Sequence, residues 1–268
     1  MRPAFNPRKV VKKPAHEKST SWGAVAPWYD ELLENNPDTF QEKVLAPNLE
    51  RLVAPKPGMK ILDLACGQGY FSRRFAAAGA QIIASDIAPE LIAIAKKNSV
   101  PEIVYHVSPA DDCSFVPDNS VDVVTIVLAL QNIERVSPVM AEAARVLAPG
   151  GRILFVLNHP TFRVPKFSSW EWDEKKHVQY RRVDAYLTER KNQIDMHPGS
   201  DPSVQTVSFH RPLQLYFKHL GKAGFAVTRL EEWVSHRPAT SGPRAGAENK
   251  ARLEIPLFMC IEAINLKK

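Results

Sequence analysis

Asp63-Leu64-Ala65-Cys66-Gly67-Gln68-Gly69 sets an acid four residues before the first of two glycines, and Asp86 follows nineteen residues after Gly67. Glycines free to take positive φ let a ligand touch the backbone between a strand and a helix. A dinucleotide loop calls for a third small residue three places after Gly69 to seat a pyrophosphate, and Ser72 stands there. No Lys-Ser or Lys-Thr follows the glycines, which excludes a P-loop. Asp86 suits a ribose diol, whose two hydroxyls can donate to one carboxylate. Asp63 suits an ammonium group better than a phosphate. The ligand so described has an amine, a ribose and no phosphate.

These residues need a strand before the glycines and another ending at Asp86, and the pattern supplies both. Short apolar runs at 60–65, 81–86, 102–107, 120–130 and 152–157 alternate with helical periods at 70–78, 89–98 and 138–147. Such alternation predicts βαβ units and a parallel sheet covered on both faces. Two amphipathic helices, at 21–33 and at 39–53 with Pro47 interrupting, precede it. After residue 157 the alternation stops for about fifty residues, too many for a plain connection. Weak strands at 178–187 and 204–209 point to a small lid or hairpin. A helix at 212–223, a strand at 225–233, a polar loop at 235–249 and a long strand at 253–266 finish the chain.

The 268 residues, 44% hydrophobic and 24% charged, are ordinary for a folded domain. No stretch has the ~20 apolar residues of a membrane span, and no signal peptide is evident. Cys66, Cys113 and Cys260 form neither a disulfide framework nor a CxxC pair, so a reducing, cytoplasmic setting and no metal are expected. The net charge of +6 hints at nucleic acid until it is located. Six cations stand against Glu17 alone in residues 1–18, so +5 of it lies there. Residues 1–20 read as a disordered basic arm and 21–268 as a single domain.

A ligand with an amine, a carboxylate, a ribose and a base is S-adenosylmethionine (SAM). Residues 63–69 resemble the first motif of the class I SAM-dependent methyltransferases, and Asp86-Ile87-Ala88-Pro89-Glu90 their ribose-binding strand end. Ala110-Asp111-Asp112 through Asp122-Val123-Val124 is similar to the adenine-side loop and fourth strand of the small-molecule, ubiquinone/menaquinone-methyltransferase-like branch. Arg145 to Gly151 resembles its turn into strand five. The resemblance implies a Rossmann-like α/β fold with a seven-stranded, mostly parallel sheet, an antiparallel last strand and an inserted lid over about 158–209. It implies that Gly67 and Gly69 face the methionine moiety, with Asp63 near the ammonium and Asp86 on the ribose. Ile87 would pack on adenine, Ala110 and Asp111 would line its edge, and Leu128 would border the sulfur. Pro109 stands where many members have an acid, so either Asp111 or the backbone is expected to substitute. Helices at 21–54, with Trp28 and Tyr29, would cover the cofactor.

Methyl transfer from a sulfonium is an in-line displacement that needs alignment, exclusion of water and sometimes a base. The acceptor belongs at the carboxyl ends of the strands, near Gln131, Asn132 and Asn158-His159-Pro160. His159 and His210 are the candidate bases, with His210 ahead because Arg211 follows it at a helix start. Arg163, Arg181, Arg182 and Arg211 are able to clamp an anionic acceptor. Trp170 and Trp172, two apart on a strand, would wall an aromatic pocket. The expected acceptor is a small molecule. An RNA or protein acceptor is the first rival and a non-catalytic SAM-binding protein the second; a nicotinamide oxidoreductase trails because of Ser72. No appended nucleic-acid module accompanies the basic arm, and the oligomeric state stays open.

Overall fold

Lys60-Ile61-Leu62-Asp63-Leu64 is buried on both faces beyond its first residue, as a strand between two helical layers must be. The computed structural model describes residues 21–197 and 201–267; the basic arm lies outside them. The chain runs through α1 (Ser21–Ala24) and α2 (Ala26–Asn35), then a π-helical turn (Gln41–Leu45) leading into α3 (Ala46–Val53). The alternating part is β1 (Lys60–Leu64), α4 (Tyr70–Ala77), β2 (Gln81–Asp86), α5 (Pro89–Asn98), β3 (Val104–Val107) and β4 (Val121–Val127). A 3-10 turn (Leu130–Asn132), α6 (Val136–Val146) and β5 (Leu147–Asn158) close it. Next come β6 (Ser168–Asp173), β7 (Val178–Val183), β8 (Arg190–His197) and β9 (Asp201–His210). The chain ends with α7 (Leu213–Lys222), β10 (Phe225–Trp233), α8 (Ala245–Glu254) and β11 (Phe258–Asn265).

Seven strands form one sheet in the order β10-β11-β5-β4-β1-β2-β3. β1 is parallel to both β2 and β4, while β11 is antiparallel to β5 and β10. The chain leaves β1 toward β2 and β3, then returns to β4 on the other side. That reversal opens a crevice at the carboxyl ends of β1 and β4, where open α/β sheets bind ligands. One apolar layer joins Met140 of α6 and Leu220 of α7 to Phe155; the other joins Leu49, Phe75 and Ile92 of α3, α4 and α5 to Ile61 and Val123.

Several elements depart from the sequence pattern. Pro47 does not break the second helix; it sits in the first turn of α3, where its missing N–H costs nothing. The insertion forms two antiparallel hairpins, β6–β7 and β8–β9, instead of one. Residues 245–254 are α8: the Gly/Pro/Ser run before it disguised its start as loop, and its apolar end read as strand. Strand four stops at Val127 because Leu128 takes the left-handed conformation, with φ 52°.

Candidate active site at the sheet crevice

The loop from β1 to α4 curls because alternate residues are left-handed: Ala65 (φ 53°), Gly67 (58°) and Gly69 (82°). Gly69 is compulsory on two counts, since a Cβ there would also strike the Tyr105 hydroxyl and come within 3.2 Å of Ala95 Cβ. Asp86, buried at the tip of β2, holds the loop in place. Its Oδ2 accepts the Gly67 N–H at 2.9 Å and its Oδ1 the Ala88 N–H at 2.9 Å. Burial raises its pKa, and the amides of Ala88, Gly67 and Ile87 oppose that rise. Ile87, next along the chain, leaves an apolar side chain 40% exposed, as a surface for a base to pack on requires.

Asp63 borders the crevice but is occupied within the sheet. Its Oδ2 accepts the Ser72 hydroxyl at 2.6 Å and its Oδ1 the Thr125 hydroxyl at 2.9 Å, joining β1 to α4 and β4. Ser72, odd for a dinucleotide loop, is there to donate to this acid. With 1% of Asp63 exposed, burial outweighs both hydrogen bonds and pushes its pKa up to about 6. A raised carboxyl pKa favours the folded state in acid. The stabilisation is complete below about 4 and is lost as pH rises through about 6. Asp63→Asn, which can still pair with both hydroxyls, is expected to reduce that slope in urea melts taken from pH 4 to 7, leaving the share of Asp86, whose pKa burial also raises. An unchanged slope would place the titrating group elsewhere.

The cover lies directly on the glycine loop. A Cβ on Gly67 would be 3.6 Å from Tyr29 Cε1, and Tyr29 is braced by Trp22 (5.5 Å between ring centroids) and Trp28 (6.5 Å). Burial pushes the Tyr29 phenol up to about 12. Beneath it is a cavity of about 40 Å³ bordered by Tyr29, Asp63, Gly67, Tyr70 and Val127. Ion pairs invisible to sequence reasoning fasten cover to loop. Arg73 donates to the Gln68 carbonyl and side chain at 2.8 Å and pairs with Glu34 of α2; Arg74 pairs with Glu42 (2.9 Å) and Glu50 (2.5 Å).

On the far side of Asp86, its carbonyl accepts the Ser108 N–H at 2.9 Å, which draws the 108–111 loop alongside β2. Ala110 is buried there. Asp111 is not a free substitute for the acid missing at Pro109, because it accepts Arg135 Nη2 at 2.7 Å.

The acceptor side is built on the turn after β4. Gln131 Nε2 donates to the Leu128 carbonyl at 2.7 Å, leaving its buried Oε1 without a partner; Asn132 beside it is half-buried. β9 packs on this turn. The buried face of β8–β9 is polar: Asn192, Thr206, Ser208 and His210, with Arg190 opposite His210 and Asn192 opposite Ser208. Among the described residues, Arg190 Nε, Asn192 Nδ2 and Arg211 Nη1 are buried donors with no hydrogen-bond partner. Arg211 Nη2 does donate, to the Ile133 and Glu134 carbonyls at 2.8 and 2.6 Å, which pins the hairpin's exit to the turn. Arg190 and Asn192 were missed in the sequence; the signal was the two-residue spacing of polar side chains on both strands.

The two candidate histidines differ. His159 Nδ1 accepts the N–H groups of Thr161 (3.2 Å) and Phe162 (3.4 Å), which leaves Nε2–H to donate to Glu232 at 2.7 Å. Both nitrogens are engaged, and His159 caps the turn leaving β5. His210 donates through Nε2 to the Tyr186 carbonyl at 2.7 Å, so Nδ1 is its basic nitrogen. Burial, followed by Arg190 and Arg211, holds its pKa below the usual value. Arg163 and Arg181 lie over the Trp170 ring, at 5.9 and 5.3 Å from its centroid.

Burial raises all three thiols, so none is an activated nucleophile. Among the described residues no group of three or more His, Cys, Asp or Glu is placed to hold a metal ion, and no helix is long and apolar enough to cross a membrane.

Residues 62–155 match the family described as Methyltransferase domain. A demethylmenaquinone methyltransferase of Paenarthrobacter aurescens (strain TC1) is 30% identical over 261 residues, covering 91% of this chain and 98% of its own length. A second, of Streptomyces avermitilis, is 32% identical over 58% of this chain, and the match spans 66% of its length. A solved S-adenosylmethionine dependent methyltransferase of Mesorhizobium loti is 25% identical with a TM-score of 0.67, covering 81% of this chain and 96% of that one. With the glycine loop, the strand-end acid and the antiparallel last strand all in place, the chain belongs to the small-molecule branch of the class I SAM-dependent methyltransferases, alongside the demethylmenaquinone methyltransferases.

Proposed function

We propose that this chain methylates an oxygen, nitrogen or carbon atom of a small, oxygen-bearing acceptor held between the turn after β4 and the β8–β9 hairpin. The observation that carries this reading is the hairpin's buried polar face. Unpaired buried donors are costly, and Arg190 Nε, Asn192 Nδ2 and Arg211 Nη1 are three such donors around one wall. An acceptor with ring or carboxyl oxygens satisfies them. A quinone-like ring, the kind of acceptor for which the P. aurescens relative is named, meets that need.

SAM, when bound, supplies an electrophilic methyl group on a sulfonium. The loop fits it: Gly67 and Gly69 present bare backbone to the methionine moiety, and Asp86 has lone pairs for the ribose hydroxyls. Ile87 and Ala110 give an apolar bed for adenine. Leu128 and Tyr29 enclose the end where the methyl group would lie, and Asp63 supports that wall from within the sheet. Residues 158–209 serve as the acceptor lid, with Gln131 and Asn132 at its floor. His210 Nδ1 takes the acceptor's proton. A macromolecular acceptor is the rival reading; the packing of β9 on the turn after β4 favours a small one. Three unpaired cysteines support a cytoplasmic setting.

SAM and its demethylated product, S-adenosylhomocysteine, are each expected to stabilise the fold by about 2.7 kcal/mol at 100 times the dissociation constant. Nicotinamide dinucleotides are expected to have no effect in the same thermal melts. The reverse order would end the reading. A labelled-methyl screen over fractionated small molecules, RNA and protein then tests the acceptor class directly.

A further inference from the structure

The β6–β7 hairpin, with the segment leaving β5 and α8, forms an arginine-rich aromatic cleft that the cofactor does not need. Trp170 pairs across the strands with Arg181, and Trp172 with Gln179, so all four share one face. Arg163, from the segment leaving β5, lies over the Trp170 ring at 5.9 Å, and Arg181 at 5.3 Å. α8 packs against β7 and contributes Arg252. Arg181 is fixed by the Phe162 carbonyl and the Ser168 hydroxyl, both at 2.8 Å; Arg252 is fixed by the Arg237 carbonyl at 3.0 Å.

No carboxylate forms an ion pair with Arg163 or Arg181 among the described residues, and Arg252 has only Glu248 at 3.7 Å. Burial, Arg181 and Arg252 together push the Arg163 pKa down to about 10. Among the described residues, Arg163 Nε, Trp172 Nε1 and Gln179 Oε1 are buried without hydrogen-bond partners. Guanidinium groups crowded together and partly desolvated are costly unless an anion joins them. Their planar forks match carboxylate and phosphate. Arg244, paired with Glu174 at 2.5 Å, lies over the Trp172 ring at 4.5 Å, so the indoles back the guanidinium groups.

We propose that Arg163, Arg181 and Arg252, with Trp170 and Trp172, bind the oxyanionic group of an aromatic acceptor. The hairpin follows β5 in the chain, and β5 neighbours β4 in the sheet. An acceptor anchored here would present its reacting atom toward the carboxyl end of β4. This rests on the reading of residues 158–209 as the acceptor lid.

The test uses the full chain saturated with S-adenosylhomocysteine, titrated with benzoate and with benzylamine while tryptophan fluorescence is followed. Benzoate is expected to give a saturable change that Trp170→Phe removes, and benzylamine none. Arg163→Gln and Arg252→Gln, on separate elements, should each weaken benzoate at least tenfold with the melting temperature and S-adenosylhomocysteine affinity kept. Equal response to the two probes, or benzoate binding that survives both substitutions, overturns the cleft. In methyl-transfer assays, free carboxylate acceptors should outperform their methyl esters, with Arg163→Gln raising KM and sparing kcat. Benzoate binding without that preference marks a site for a separate anion and overturns the acceptor assignment. If no acceptor is methylated, the catalytic reading fails, and the titration still decides the cleft.

Discussion

His210→Ala is expected to slow methyl transfer by about 10²- to 10⁴-fold, the usual contribution of a general base, while SAM affinity stays unchanged. The imidazole is buried at the end of β9 with Nε2–H committed to the Tyr186 carbonyl, which leaves Nδ1 to receive a proton. Burial and the neighbouring cations Arg190 and Arg211 hold it neutral at neutral pH. The rate should therefore be flat near pH 7 and fall only as pH drops through a value below the ordinary histidine range. That acid limb should vanish in His210→Ala. His159→Ala should instead lower the melting temperature, because His159 caps a turn. A loss of only about twofold in His210→Ala would leave alignment as the sole catalytic device.

Asp86→Ala is expected to raise the dissociation constant for SAM roughly 10- to 150-fold, equivalent to the ~1.5–3 kcal/mol of hydrogen bonds to a charged group. Two losses coincide: the acceptor for the ribose and the clamp on the Gly67 amide. Calorimetric titration separates them when paired with a melt. A lower melting temperature with unchanged affinity would show that Asp86 only braces the loop.

The cofactor half of the molecule was legible because its chemistry depends on backbone shape. Gly67, Gly69 and Asp86 sit at strand ends fixed by strong apolar runs, and little else has to be known. Asp63 was legible as an acid but not as a buried one. Its partners, Ser72 and Thr125, come from α4 and β4, and no local pattern reveals such a pairing. The region after β5 was harder because its β8–β9 hairpin has a polar inner face. Alternation of apolar residues marks a strand, and here the buried positions Asn192, Thr206, Ser208 and His210 invert it. In the sequence only the neighbouring Arg211 put His210 ahead of His159; the Thr161 and Phe162 amides on His159 Nδ1 are what separate them. α8 was lost because its amphipathic signal is weak beside the Gly/Pro/Ser run preceding it.

The cover touches both halves. Tyr29 of α2 stands over Gly67, and the adjoining α1 packs against α5 on one side and β9 on the other. Whatever roofs the methyl donor thus also abuts the acceptor's wall. With the acceptor seated as proposed, that shared roof would make the order of entry compulsory, cofactor first and its spent form last. Acceptor seated on the wall too early would then hold the spent cofactor beneath it.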